Sequence, residues 1–202
     1  MHIMTNNVQV ILASSSPYRR ELLERLHVPF TCVSPDVDET PCPNETPRDL
    51  ALRLSKLKAF AIAKMYPGQI IIGSDQVLCL DGKSLGKPHT YEKAKEQLMT
   101  MSGKSVVFHS GICIVAPDGS YELDEVQTTL FIRNLSEEAI DTYLKLEEPF
   151  DCAGSAKIEK LGISLIREYQ STDPTAIIGL PLIRVSEMLA KVGVSPLSTI
   201  LK

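Results

Sequence analysis

The chain predicts an α/β fold built on a mixed sheet. Helical and extended patterns alternate through its first half, and two long strand patterns joined by a reversal sequence follow between Ser105 and Phe131. The apolar run Val8 to Ala13 is the first strand. It empties into Ser14-Ser15-Ser16-Pro17-Tyr18-Arg19-Arg20, and the helical spacing of Pro17 to Leu26 follows, with Pro17 in the first turn where a missing N–H costs nothing. Thr46 caps a second helix over Pro47 to Met65, with Asp49 at its third position. Leu50, Leu54, Leu57 and Ala61 share one face of that helix, so its lysines and arginines are expected to face elsewhere. Gln69 to Leu80 is an apolar strand and Thr90 to Met101 a third helix. Pro117-Asp118-Gly119-Ser120 turns the strand Ser105 to Ala116 back into Tyr121 to Phe131, an antiparallel pair. Ser136 to Leu146 is a helix with Glu137 and Glu138 at the positive end of its dipole, and a short helix covers Leu182 to Val192.

With 202 residues, 44% of them hydrophobic, the chain has material for one sizeable core, in one domain or in two lobes sharing a cleft. No repeat, low-complexity tract or long linker divides it, so residues 8–202 are read as a single domain, and Met1 to Asn7 are expected to fray. Lysine and arginine number 21 against 25 acids, a net charge of −4, which speaks against a nucleic-acid polymer as partner and makes any phosphate binding local. No stretch approaches the ~20 apolar residues of a membrane span, and the first residues lack a signal-peptide pattern, so a cytoplasmic protein without membrane attachment is expected. The five cysteines are odd in number and scattered without a C-x-x-C pair, which argues against a zinc site and a disulfide framework; Cys79 and Cys113, inside apolar strands, read as buried thiols. His27 and His89 in turn-like contexts and His109 within a strand read as solvated or core residues.

Several segments carry possible chemistry. The turn from Ser14 to Arg20 joins free N–H groups of a helix start to hydroxyls and positive charge, which is what a polyphosphate requires, although alone it also reads as an ordinary cap with two solvated arginines. Asp75, within Gly73-Ser74-Asp75-Gln76, interrupts an apolar strand. A buried, unpaired carboxylate is costly, so Asp75 either has partners among amides and cations or reaches a wet cleft, where it takes a proton from water or holds a metal ion. Asp36-Val37-Asp38-Glu39-Thr40-Pro41 is an acidic loop, either a solvated face or a place to hold magnesium beside a phosphate. Lys58, Gly86-Lys87-Pro88 and the small-residue run Phe150-Asp151-Cys152-Ala153-Gly154-Ser155 leading to Glu159 are unremarkable singly.

Together, these segments stand in the order and spacing of the Maf family of nucleoside triphosphate pyrophosphatases, which the chain resembles from about Val8 to about Pro196. Gln76 beside Asp75, and the segment Phe150 to Ser155, resemble the branch that hydrolyses 7-methyl-GTP rather than the one that takes dTTP and UTP. The resemblance implies a Maf/Ham1 (ITPase-like) fold, a mixed sheet with helices in two lobes around a central cleft. It implies hydrolysis of 7-methyl-GTP to 7-methyl-GMP and pyrophosphate with a divalent cation, Mg or Mn, as house-cleaning of modified nucleotides. Carried over residue by residue, Asp75 is the proton acceptor; Tyr18, Gln76 and Glu159 set substrate choice; Ser14, Arg19, Lys58 and Lys87 line the phosphates, where Arg20 adds a further positive charge to offset those of a triphosphate; and Glu39 helps Asp75 hold the metal. A homodimer is also implied. The alternatives are the same fold acting on dTTP, UTP or other noncanonical nucleotides, and a non-catalytic nucleotide-binding regulator of cell division. On the base side, 7-methylguanine carries a delocalised positive charge, which the ring of Tyr18 and the carboxylate of Glu159 would favour over neutral guanine.

Overall fold

The computed structural model of the chain describes residues 8–195 and 197; the expectation for Met1 to Asn7 lies outside them. The elements are β1 (Val10–Ala13), α1 (Pro17–Glu24), β2 (Phe30–Val33), α2 (Pro47–Met65), β3 (Ile70–Leu80), β4 (Lys83–Leu85), α3 (Tyr91–Met101), β5 (Ser105–Val115), β6 (Tyr121–Ile132), α4 (Glu137–Glu147), β7 (Ile166–Ser171) and α5 (Leu182–Lys191). The mixed sheet is as expected. Its strands run β2-β1-β3-β5-β6-β7, with β1 parallel to β2 and β3, the rest antiparallel, and β4 folded back on the end of β3. Among the described residues no helix is long and apolar enough to cross a membrane.

Because side chains alternate along a strand, β3 serves two different surfaces. Ile71 and Val77 pack under α2, against Ala59 and Ile62 and against Leu50 and Leu54. On the other side Ile70 and Ile72 meet Leu22 and Leu23 of α1 and Val185 and Leu189 of α5, while Leu78 joins Leu98 of α3 and Leu144 of α4. That side therefore carries two separate clusters.

The buried stripe of α2 is Leu50, Ala51, Leu54, Ser55, Lys58, Ala59 and Ile62, and Leu57 is exposed. Leu50 and Leu54 are buried as expected, but Leu57 and Ala61 do not complete the face, and the expectation that the helix turns its cations away is corrected at Lys58. The cause is steric. Small residues on the helix meet glycines on the sheet: a Cβ on Gly73 would fall 2.6 Å from the Ala59 nitrogen, and one on Gly111 would fall 2.6 Å from the Ala51 carbonyl oxygen. So close an approach rolls Lys58 inward, and it is buried.

The site is positioned by a gap in the sheet. On one side β3 is paired without interruption, Ile71–Cys79 against β5. On the other, β1 pairs with Ile70–Gly73 and β4 with Leu78–Leu80, so among the described residues no strand pairs with Ser74–Val77 there. The chain leaving β1 at Ala13 enters the serine turn and α1 beside this opening, with Ser16 as N-cap and Pro17 at the first position.

Candidate active site

Asp75 lies in the gap on the α2 side, 8% exposed. Its backbone N–H donates to Ser55 Oγ at 2.9 Å, and that hydroxyl in turn donates to the Ala51 carbonyl at 2.7 Å. Its Oδ1 accepts from Lys58 Nζ at 2.5 Å, and the same ammonium lies 2.8 Å from Glu39 Oε1. One buried cation thus stands between two carboxylates, buried Asp75 and exposed Glu39, which offsets the cost of burying Lys58 and Asp75. Glu39 comes from the acidic loop, and Arg53 ties that loop to α2 by a two-pronged bond to Glu45 at 2.6 and 2.9 Å and by donating to the Thr40 carbonyl at 3.0 Å. Bonds from Arg53 and from the Cys42 backbone hold the Glu45 carboxyl below its ordinary value.

The half-buried Arg19 completes this cluster. Its Nε donates to the Gly179 carbonyl at 2.9 Å. Burial lowers its pKa, while the nearby charges of Asp75 and Glu39 act to raise it; a guanidinium stays charged throughout. Ser14, buried at the mouth of the turn, accepts from the Ser16 N–H at 3.1 Å. Arg20 is not brought into the cluster: one step further round α1, it is exposed and bonded to Glu24 at 3.1 Å. A helix turns about 100° per residue, so two adjacent arginines cannot both face the gap. Lys87 is exposed just beyond β4, the strand that borders the opening.

Gln76 projects to the opposite surface. Its Nε2 donates toward Ser110 Oγ at 3.0 Å and toward the carbonyls of Ala176 and Ile177 at 2.8 and 3.1 Å. Ser74, on the same side, donates to the carbonyls of Gly111 and Gly179 at 2.8 and 3.2 Å. Tyr18, next to Arg19, lies near the segment from Asp151 to Glu159. Burial raises its pKa, followed by the charges of Cys152, Asp151 and Glu159, with Lys157 opposing. Lys157 is itself 3.4 Å from Asp151, and the Cys152 thiol is pushed up to about 12 by burial and by Asp151, which leaves it an unreactive group. Glu159 is exposed in the turn that follows.

The part of the site that sequence reasoning missed is the segment Asp173 to Gly179, whose carbonyls receive Gln76, Ser74 and Arg19. A carboxylate and a hydroxyl around a proline, Asp173-Pro174-Thr175, just ahead of a helix is the signal that marks it.

Fold and site together define a class: a mixed-sheet α/β protein with a carboxylate and two cations at an opening in the sheet, beside a helix start. A family model described as Maf-like protein matches residues 9–192, and the chain belongs to that family. It is 55% identical over 191 residues to a protein of Bordetella pertussis named 7-methyl-GTP pyrophosphatase, covering 94% of this chain and 95% of that one. A protein of the same name from Pseudomonas syringae is 54% identical over 187 residues, 92% and 97% of the two chains, and one from Cupriavidus metallidurans is 53% identical over 185 residues, 91% and 93%. Among solved structures, the Staphylococcus aureus Ham1 protein aligns at a TM-score of 0.47 and 18% identity over 62% of this chain and 72% of that one, too slight a likeness to build on.

Proposed function

We propose that this chain hydrolyses 7-methyl-GTP between its α and β phosphates, giving 7-methyl-GMP and pyrophosphate. The observation that carries the reading is the buried Lys58 ammonium held between Asp75 and Glu39 in the sheet opening. Relatives more than half identical over nearly the whole chain, named for this activity, support the choice of nucleotide.

In this reading a water oxygen attacks phosphorus, Asp75 takes the water's proton, and the bond to the bridging oxygen breaks as pyrophosphate leaves. The incoming triphosphate, with close to four negative charges, competes for Lys58. Drawing the ammonium toward the phosphates frees the Asp75 oxygen that now accepts from it, and leaves that oxygen for the water's proton. Arg19 and Lys87 take up charge on the phosphates, and Ser14 lines their path. Arg20, spent on Glu24, has at most a long-range part. Tyr18, Gln76 and Glu159 form the base side.

Glu39 and Asp75 fit a divalent cation, Mg or Mn: two hard carboxylates already converge on one positive charge, and with phosphate oxygens and water that donor set suits these ions. The ion would supply further charge neutralisation on the phosphates. Five free thiols suit the reducing cytoplasm as its compartment.

The test is pyrophosphate release from 7-methyl-GTP, GTP, UTP and dTTP with magnesium or manganese, repeated with Asp75→Asn. The expected result is fastest release from 7-methyl-GTP and a loss of about a hundredfold or more in the variant. Release from UTP and dTTP alone would move the base preference to the other branch, and no release from any nucleotide would overturn the reading.

A further inference from the structure

Asp173 is only 1% exposed, and its charge is met entirely by the segment it sits in. Oδ1 accepts the Thr175 N–H at 2.8 Å and its hydroxyl is 2.7 Å away; Oδ2 accepts the Ile183 N–H at 2.7 Å. Ile183 is the second residue of α5, a helix whose N-cap position is occupied by Pro181 and which has no side-chain cap of its own. Asp173 therefore caps α5 from upstream, with its negative charge at the positive end of the dipole. Thr175 closes the loop further, its Oγ1 accepting the Leu182 N–H at 2.8 Å.

What lies inside this closed loop bears on the site. The Ala176 and Ile177 carbonyls face Gln76 Nε2, and the Gly179 carbonyl faces Arg19. An amide nitrogen has two hydrogens, and three protein acceptors surround this one, counting Ser110 Oγ. Carbonyl oxygens only accept, so the amide cannot be flipped. Gln76 is left with its carbonyl oxygen for a ligand.

We propose that Asp173 is a positioning residue for substrate choice: by closing the segment from 173 to 183 it fixes the carbonyls that turn Gln76 nitrogen-inward, so that the substrate's base meets an acceptor at one fixed place, which suits the N–H edge of a purine there better than the differently placed N–H of a pyrimidine. The same closure holds Arg19 toward the phosphates. This rests on the reading of Gln76 as a base-side group.

The test compares Asp173→Asn with Val185→Ala, a buried truncation elsewhere in α5. Asparagine keeps the shape but turns an NH2 group toward donors. Two readouts are taken on the full chain: the side-chain amide resonance of Gln76 in nucleotide-free protein, and the ratio of kcat/KM for 7-methyl-GTP over UTP. In Asp173→Asn the Gln76 resonance moves toward that of a solvated amide, the ratio falls by about tenfold, and KM rises; in Val185→Ala the Tm falls while the resonance and the ratio hold. Should Asp173→Asn fail to fold, Thr175→Val, which removes the hydroxyl that closes the loop, gives the same readouts. An unmoved Gln76 resonance with an unmoved ratio overturns the proposal. The resonance is read without turnover, so a protein that hydrolyses none of these nucleotides still decides the positioning claim.

Discussion

The two surfaces of β3 are held by different means. Toward α2, Asp75 is bound by charge, through a side chain that also serves Glu39; on the other surface, one residue along, Gln76 is bound by neutral hydrogen bonds to backbone carbonyls. A long lysine with two partners exchanges them at modest cost, whereas an amide surrounded by main chain has no alternative arrangement. The first kind of holding suits a group that must change its state during a reaction, and the second suits a group that must present the same atom to every ligand. In the proposed function, the boundary between chemistry and discrimination is thus the pleat of one strand.

Three perturbations break or sharpen this contrast. The largest effect is expected from Gly111→Ala, since the new Cβ would lie 2.5 Å from Ser55 Oγ and 2.6 Å from the Ala51 carbonyl oxygen, so α2 must lift from the sheet. Overpacking against backbone predicts a loss of about 3 kcal/mol, roughly 10 °C in Tm for a chain of this size, by thermal unfolding. As α2 carries Lys58 but not the partners of Gln76, turnover should fall far more than base preference; equal loss of both would show that the surfaces are not independent.

Arg53→Gln comes next. It releases the clamp on Glu45 and Thr40 that holds the acidic loop to α2, and Glu39 loses its fixed place beside Lys58. KM for the triphosphate is expected to rise severalfold, about 1 kcal/mol in transition-state binding, with the preference among bases intact in steady-state kinetics. Arg53→Lys should recover little, because lysine lacks the fork that grips both Glu45 oxygens.

The smallest effect is that of acid. The bond from Arg53, with that from the Cys42 backbone, places the folded pKa of Glu45 below the unfolded value of about 4.3, so the clamp contributes its full stability above that value. It is lost as pH falls through the lower, folded value. An acid titration following the acidic loop by NMR should show release there while the Gln76 amide resonance stays in place.

Much of this was legible in the sequence. The limits of α2 follow from Thr46, Pro47 and the charge in its first turn, and the β5–β6 hairpin from its turn residues, because these signals are local. Strands β2, β4 and β7 were not delimited: two have four residues or fewer and all are largely exposed, so no alternation marks them. The site residues were found as a group, but not their arrangement. Asp75 and Gln76 are neighbours in sequence and read naturally as one unit, whereas the two-residue period of a strand puts them on opposite surfaces. The inward turn of Lys58 depended on Gly73 and Gly111 admitting the helix so closely, and those glycines are brought together only by sheet pairing.

The opening in the sheet has one more consequence. A stretch of β3 from Ser74 to Val77 without a strand beside it is an invitation to any extended chain, since open edges template association. Here the invitation is cut short: four residues span about 13 Å, β1 and β4 stop an intruding strand at either end, and Ser55 already occupies the Asp75 amide. The interruption is therefore too brief to recruit another protein strand, and the sheet keeps an opening at Ser74 to Val77 without acquiring a sticky edge there.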